Sequence, residues 1–226
     1  MLILVDNERA DAYLKPWGER IMAARVRIKY RLEDMTGTPC LIVRYDQVTP
    51  TRLEAVGATA VFISGNSANP DEYSHAEVAG LHQVITSLRW PLFGFCGGFE
   101  TLAEAFGAAV APIGPLPDDE PDPNPDFAAG MKKELGYRSV QITQPHPLLA
   151  GLGVAPIMRQ AHSWELKEVP VGFENYGETA VSPLQIIIHH QLPIIGTQFH
   201  PEYYTDEHPA GYTLIRNFCQ QAGLIP

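Results

Sequence analysis

Residues 91–100 read PLFGFCGGFE, so a cysteine stands between glycines just after a short apolar run. Pro91–Phe95 is apolar without a helical period, which predicts a short buried strand. Phe99–Phe106 has the periodicity of an amphipathic helix. Cys96 therefore falls on the turn from strand to helix, and the flanking glycines allow the close backbone approach that this turn requires.

Cys96 has the sequence surroundings of a nucleophile. The spacing G-x-C-x-G at a strand-to-helix turn is that of a nucleophile elbow, with cysteine in place of serine. Unpaired N–H groups and the dipole at a helix N-terminus also favour a thiolate over a thiol. From this stretch alone, the alternative is a buried structural cysteine beside a tight turn.

Composition predicts one globular domain over residues 1–226. The chain is 45% hydrophobic and 19% charged, so it can bury a large core. It has no apolar run near the ~20 residues of a membrane helix, and its N-terminus lacks the features of a signal peptide. Three scattered cysteines exclude a disulfide framework and fit a reducing cytoplasm. A net charge of −10 without a basic cluster argues against nucleic acid or anionic membrane partners.

Apolar runs alternate with helical segments along the chain. This alternation predicts parallel βαβ units and a sheet covered on both faces, with an antiparallel addition from strands crowded late in the chain. The predicted helices are Trp17–Met35, His75–Trp90, Phe99–Phe106 and Tyr212–Gln221. The predicted strands are Leu2–Asp6, Cys40–Tyr45, Ala60–Ser64, Pro91–Phe95, Tyr137–Thr143, Ile157–His162, Gln185–His190 and Ile194–Phe199.

Residues 111–130, APIGPLPDDEPDPNPDFAAG, are dense in proline and aspartate and are predicted to form neither helix nor strand. A solvated surface loop is one interpretation. A lid or a partner-docking loop is the other, because long structureless loops in compact domains are often functional.

Residues 194–202, IIGTQFHPE, supply a base for the thiol. His200 ends an apolar strand, and in extended chain Glu202 points the same way, so its carboxylate can orient the imidazole. Active sites of parallel sheets collect at the carboxyl ends of the strands, where Cys96 and His200 can meet. The alternative for this segment is a surface His-Pro-Glu turn.

The loop after the third strand, within VFISGNSANP at residues 61–70, is a candidate oxyanion site. Acyl transfer to cysteine generates an oxyanion, which needs two backbone N–H donors. One donor is expected from Gly97, and the other from the loop at Gly65 and Asn66. An ordinary strand-to-helix turn remains the alternative.

Taken in their order along the chain, these segments resemble a class I glutamine amidotransferase domain of the Cys-His-Glu triad type. The resemblance covers nearly the whole chain. GFCGGFE stands where that family has G-x-C-x-G-x-Q, TQFHPE matches its final His-Pro-Glu motif, and SGNS stands where it usually has Ser-Gly-Gly-Pro. Later resembling segments are KELGYRSV, HPLLAGL, QAHSWELKEVPVGF and TAVSP. The resemblance implies a flavodoxin-like three-layer sandwich with a mostly parallel sheet and a small antiparallel extension.

The resemblance also implies an activity: hydrolysis of the glutamine side-chain amide through a γ-glutamyl thioester. Cys96 would attack the γ-carbonyl, His200 would shuttle the proton, and Glu202 would orient His200. In many members the ammonia passes to a synthase domain or subunit. His162 falls in a segment that lines the family's substrate pocket, with a core histidine as the alternative. Neither a metal nor an organic cofactor is expected.

Two positions depart from the family pattern. Glu100 replaces a glutamine that helps to hold the substrate's α-substituents. A relative, γ-glutamyl hydrolase, has a similar Cys-x-Gly-Phe-Glu run, and a carboxylate could pair with an α-ammonium. A solvent-facing Glu100 is the alternative. Asn66-Ser67 replaces Gly-Pro. This change affects the expected oxyanion loop more than the triad, and Asn66 is expected to contact the substrate.

The expected function is therefore a cysteine-dependent glutaminase or amidotransferase subunit that acts on glutamine or a γ-glutamyl compound. A γ-glutamyl peptide hydrolase is the first alternative. The second is a non-catalytic binding or regulatory protein on the same fold, which the altered SGNS segment favours and the intact Cys-His-Glu set opposes.

Overall fold

The computed structural model describes all 226 residues, Met1–Pro226. Its α-helices are α1 (Gly18–Thr36), α2 (Pro50–Ala55), α3 (His75–Thr86), α4 (Gly97–Ala105) and α5 (Ala210–Gln221). Its strands are β1 (Leu2–Asp6), β2 (Cys40–Arg44), β3 (Ala60–Ile63), β4 (Leu92–Phe95), β5 (Val110–Pro112), β6 (Glu134–Ser139), β7 (Gln141–Ile142), β8 (Ile157–His162), β9 (Trp164–Leu166), β10 (Phe173–Glu178), β11 (Ile186–His189) and β12 (Ile194–Thr197).

Eight strands form the central sheet in the order β2-β1-β3-β4-β12-β11-β10-β7. The first five of these are parallel to one another, and each of the last three runs antiparallel to its neighbour. Two small antiparallel pairs, β5–β9 and β6–β8, stand outside it. The predicted fold class is confirmed, including the antiparallel extension.

The sheet is buried on both faces because its central strands are continuous apolar runs. Along β1, Leu2 and Leu4 face one core and Ile3 and Val5 face the other. Side chains of α1 and α5 complete the first core, and side chains of α2, α3 and α4 complete the second. None of the five helices has the length and apolar composition needed to cross a bilayer.

Several predicted boundaries are wrong. The helix expected to reach Trp90 ends at Thr86, since Ser87 caps it and Leu88 has a φ of 56°. The strand expected over Tyr137–Thr143 is two strands, of which only β7 joins the central sheet. The sequence analysis missed α2, β5, β9 and β10.

The loop at 111–130 is irregular apart from its start, where Ala111 and Pro112 belong to β5 and pair with β9. The prediction of no strand is wrong there. The rest is held by Lys133, whose buried ammonium lies 2.7 Å from Asp122 Oδ1 and donates to the carbonyl of Asn124 at 2.9 Å. Hydrogen bonds from the Lys133 ammonium and from the backbone N–H groups of Gly130 and Asn124 lower the pKa of Asp122 to about 2, so this proline-rich segment has an ordered anchor.

Candidate active site

Cys96 lies on the sharp turn between β4 and α4. Its backbone has φ 48° and ψ −111°, which is strained for any residue other than glycine. A Cβ on Gly94 would stand 2.4 Å from the carbonyl oxygen of Gly98, and a Cβ on Gly98 would stand 2.3 Å from that of Ile63. Only glycine fits at both places, so the elbow geometry predicted from the sequence is present.

His200, which is largely buried, and the buried Glu202 form a pair just after β12. His200 Nδ1 lies 2.7 Å from Glu202 Oε1. Because a carboxylate only accepts, Nδ1 carries the proton and Nε2 is left for another partner. The chain here is a short 3-10 turn, Pro201–Tyr203, and not the extended segment predicted. Arg31 braces this turn by donating to the backbone carbonyl of Glu202.

Cys96 and His200 meet over Gly65. A Cβ on Gly65 would stand 2.8 Å from His200 Cε1 and 3.4 Å from Cys96 Cβ, so both side chains pack against one glycine. Burial by itself lowers the pKa of His200, but the charges of Glu202 and Cys96 raise it well above its usual value. The geometry therefore favours an imidazolium beside the sulfur.

The environments of the other two cysteines disfavour the reactive thiolate. Cys40 and Cys219 are buried in the hydrophobic core. Burial raises the pKa of each to about 12, so both remain protonated near neutral pH.

Two backbone N–H groups border the space beside Cys96. The Asn66 amide nitrogen lies 3.2 Å from where a Cβ on Gly97 would stand, and it has no acceptor within the protein. The Gly97 N–H is in the first turn of α4, where helices offer no intrahelical acceptor. Gly65 provides the contact surface for His200. Within the loop expected to supply the second donor, the Asn66 N–H is the group that lies beside Gly97.

The Asn66 side chain is fixed over Gly97. Its Nδ2 donates to the carbonyl of Ala68 at 3.0 Å and to the hydroxyl of Tyr73 at 2.7 Å. Its Oδ1 occupies space only 1.5 Å from where a Cβ on Gly97 would stand. An asparagine in this loop therefore requires a glycine after the nucleophile.

Glu100 faces the pocket and not the solvent. It is 5% exposed, and its Oε1 accepts from Gln198 Nε2 at 3.0 Å. It lines a small cavity together with Cys96, and also an adjoining cavity of about 380 Å³. Burial raises the pKa of the Glu100 carboxyl, so a cation placed beside it would favour ionisation.

His162 is both a core residue and a cavity residue. Its Nδ1 lies 2.8 Å from the carbonyl of Trp164, and its Nε2 lies 3.1 Å from Glu134 Oε2. That carboxylate also accepts from Thr179 and Gln185. His162 still lines the cavity that contains Cys96. The buried Glu134 was missed by the sequence analysis.

The proline-rich loop reaches the same cavity. Phe127 lines it together with Asn66 and the segment Ala161–Trp164, which joins the end of β8 to the start of β9. The lid interpretation of residues 111–130 thus has a physical basis, because one aromatic side chain of the loop forms part of the cavity wall.

Three charged residues near the site were also missed. Asp6, Glu8 and Arg25 are buried in one network beside the oxyanion loop. The signal was available, since Arg25 shares a helical face with Ile28 and Leu32, which are both in the core.

Most of the chain matches a known family. The sequence profile described as "Glutamine amidotransferase class-I" matches residues 27–222. This chain belongs to the class I glutamine amidotransferase family. Relatives include a GMP synthase [glutamine-hydrolyzing] from Phenylobacterium zucineum, 30% identical over 194 residues, which are 84% of this chain and 33% of that protein. The chain therefore corresponds to about a third of that relative's length.

A shorter relative is a subunit of the GMP synthase [glutamine-hydrolyzing] from Thermococcus kodakarensis. It is 27% identical over 157 residues, which are 70% of this chain and 73% of that subunit.

Solved structures show the same fold. A GMP synthase subunit protein from Thermoplasma acidophilum superposes with a TM-score of 0.73 at 22% identity, covering 99% of this chain and 94% of that one. The glutaminase domain of CTPS from Trypanosoma brucei, solved with bound acivicin, gives 0.66 at 17% identity, covering 100% and 95% of the two chains.

The contact between Asn66 and Gly97 gives a testable prediction. Gly97→Ala should lower kcat for glutamine by about one to two powers of ten, because the new methyl displaces Asn66 and its N–H donor. In an Asn66→Gly background the same substitution should cost much less, so the two changes should couple in a double-mutant cycle of steady-state rates. Additive losses would show that the contact does not govern the donor.

Proposed function

We propose that this chain, as one domain over residues 1–226, hydrolyses the side-chain amide of glutamine at Cys96 and releases or delivers ammonia. The observation that supports this most is the strained elbow at Cys96, packed over the same glycine as the buried His200–Glu202 pair. Family membership supports the choice of a glutamine amide as substrate.

The proposed reaction has two halves. The Cys96 sulfur attacks the γ-carbonyl carbon, the C–N bond breaks, and His200 gives its proton to the departing nitrogen, which leaves as ammonia. Water then attacks the thioester carbon while His200 takes its proton, the C–S bond breaks, and glutamate leaves with the Cys96 thiolate and the His200 imidazolium restored. The N–H groups of Asn66 and Gly97 stabilise the oxyanion in both halves.

Glu202 keeps His200 in the orientation that both halves need. Its carboxylate fixes the proton on Nδ1 and stabilises the imidazolium. Nε2 is then free to exchange a proton with sulfur, leaving nitrogen or water.

A synthase subunit is the proposed ammonia acceptor. The Thermococcus relative is named as one subunit of a synthase, and the Phenylobacterium relative is about three times the length of the matched region.

Substitutions in the triad should rank in a fixed order. Cys96→Ala should lower kcat for glutamine by several powers of ten, and His200→Asn by nearly as much. Glu202→Gln should be less damaging by about two powers of ten, because an orienting group contributes less than the base. Steady-state ammonia release measures all three.

Cys40→Ala is the matched control, because it removes a thiol that lies in the core away from the cavity. This variant should have the wild-type kcat. Its thermal stability should be measured first, so that any loss of activity can be separated from unfolding. Near-normal turnover in Cys96→Ala would remove Cys96 from the mechanism.

A γ-glutamyl peptide hydrolase is the second candidate, and Glu100 is the observation that favours it. Its buried carboxyl lies on the first turn of α4 and borders both cavities. The wild-type ratio of kcat/KM for a γ-glutamyl dipeptide and for glutamine separates the two candidates, since only a peptide hydrolase should prefer the dipeptide.

Glu100→Gln should raise KM for the preferred substrate by about one to two powers of ten, because it removes a charge-assisted hydrogen bond to the α-ammonium. Glu104→Gln is the matched control, since it replaces a carboxyl one turn further along α4 that borders only the larger cavity. A rise in glutaminase activity in Glu100→Gln would instead mean that Glu100 mainly opposes thiolate formation. No change on either substrate would leave Glu100 without a binding role.

A further inference from the structure

Arg25 makes an unusual contact for the middle of a helix. Its side chain is only 8% exposed, because it projects from α1 toward the sheet. Its Nε donates to Asp6 Oδ1 at 2.6 Å, and its Nη2 donates to the backbone carbonyl of Gly65 at 2.7 Å. The hydroxyl of Ser64 donates to the same carbonyl at 3.0 Å.

The carbonyl of Gly65 and the N–H of Asn66 belong to one peptide group. That group is planar and trans, so its oxygen and its hydrogen point in opposite directions. Whatever holds the Gly65 oxygen therefore also sets the direction of the Asn66 N–H. That N–H has no acceptor within the protein and lies beside Gly97.

We propose that Arg25 is a positioning residue for the reaction, which aims the Asn66 N–H at the oxyanion by clamping the carbonyl of the same peptide group. The inference rests on the proposed function, because an oxyanion donor matters only where acyl transfer occurs at Cys96.

The guanidinium is itself held in place. Asp6 also accepts from the hydroxyl of Tyr13, and Glu8 Oε2 lies 3.7 Å from Arg25 Nη2. The Glu8 carboxylate holds the next residue of the loop, Ser67. It accepts hydrogen bonds from the Ser67 N–H at 3.0 Å and from the Ser67 hydroxyl at 2.9 Å. The loop is thus bound on both sides of Asn66 by charge-assisted hydrogen bonds, which are among the stronger ones in proteins.

The test compares two reactions of Cys96 in the same variant. Hydrolysis of the substrate passes through a tetrahedral oxyanion, whereas alkylation by iodoacetamide displaces iodide at a saturated carbon and forms none. Arg25→Met should lower kcat by about 10²-fold, in the range typical for loss of one oxyanion donor, with KM within about twofold. The rate of Cys96 alkylation should stay within about twofold of wild type.

Two further variants sharpen the comparison. Arg25→Lys can still reach one of the two acceptors, so it should recover about tenfold in kcat over Arg25→Met. Arg27→Met is the control, because Arg27 is an exposed arginine on the same helix that makes no ion pair or hydrogen bond. It should match wild type in kcat and in alkylation.

Loss of Arg25 leaves the Asp6 carboxylate buried and unpaired, which can unfold a protein. The double variant Asp6→Asn/Arg25→Met removes both charges and should show the same split between kcat and alkylation. Parallel losses of kcat and alkylation, or an unchanged kcat, would overturn the inference alone. A wild-type protein that hydrolyses no γ-glutamyl amide would overturn the proposed function and this inference with it.

Discussion

Three backbone segments approach one another at the Cys96 turn more closely than any side chain would allow. Gly98 packs against the end of β3, and Gly94 packs against Gly98. This contact requires a sharp turn at Cys96, which is the N-cap of α4. It also brings the loop after β3 against the same residue. One packing constraint therefore brings together the proposed nucleophile Cys96, the helix terminus and the candidate oxyanion loop.

The register of the neighbouring strand places His200, the proposed base, at the same edge of the sheet as Cys96. Thr197 of β12 pairs with Phe95, and its carbonyl accepts from the Cys96 N–H at 2.7 Å. His200 follows three residues later, at the same edge of the sheet. Side chains from segments far apart in sequence thus meet because two parallel strands end together, as the sequence analysis expected.

The sequence predicted the elements with strong periodicity and a strong turn signal, such as β4, α4 and Ile157–His162. It missed α2, which has only six residues, although Thr49 caps it and Pro50 opens it. It missed β10 because FENYGE is polar and lacks an apolar run. Glu134 could not be placed, since long charged side chains are rarely buried and its partners lie far away in sequence. Arg25 was missed although its position on the core-facing side of α1 could have been read from the helical period.

Labelling by an electrophilic glutamine analogue tests the central claim most directly, because it asks whether Cys96 is the reactive nucleophile of a glutamine site. The protein would be treated with a glutamine-like chloroketone, digested and mapped by mass spectrometry, with and without excess glutamine. The account predicts one adduct on the peptide that carries Cys96, protection by glutamine, and none on Cys40 or Cys219. An unlabelled Cys96, or equal labelling of all three cysteines, would contradict it.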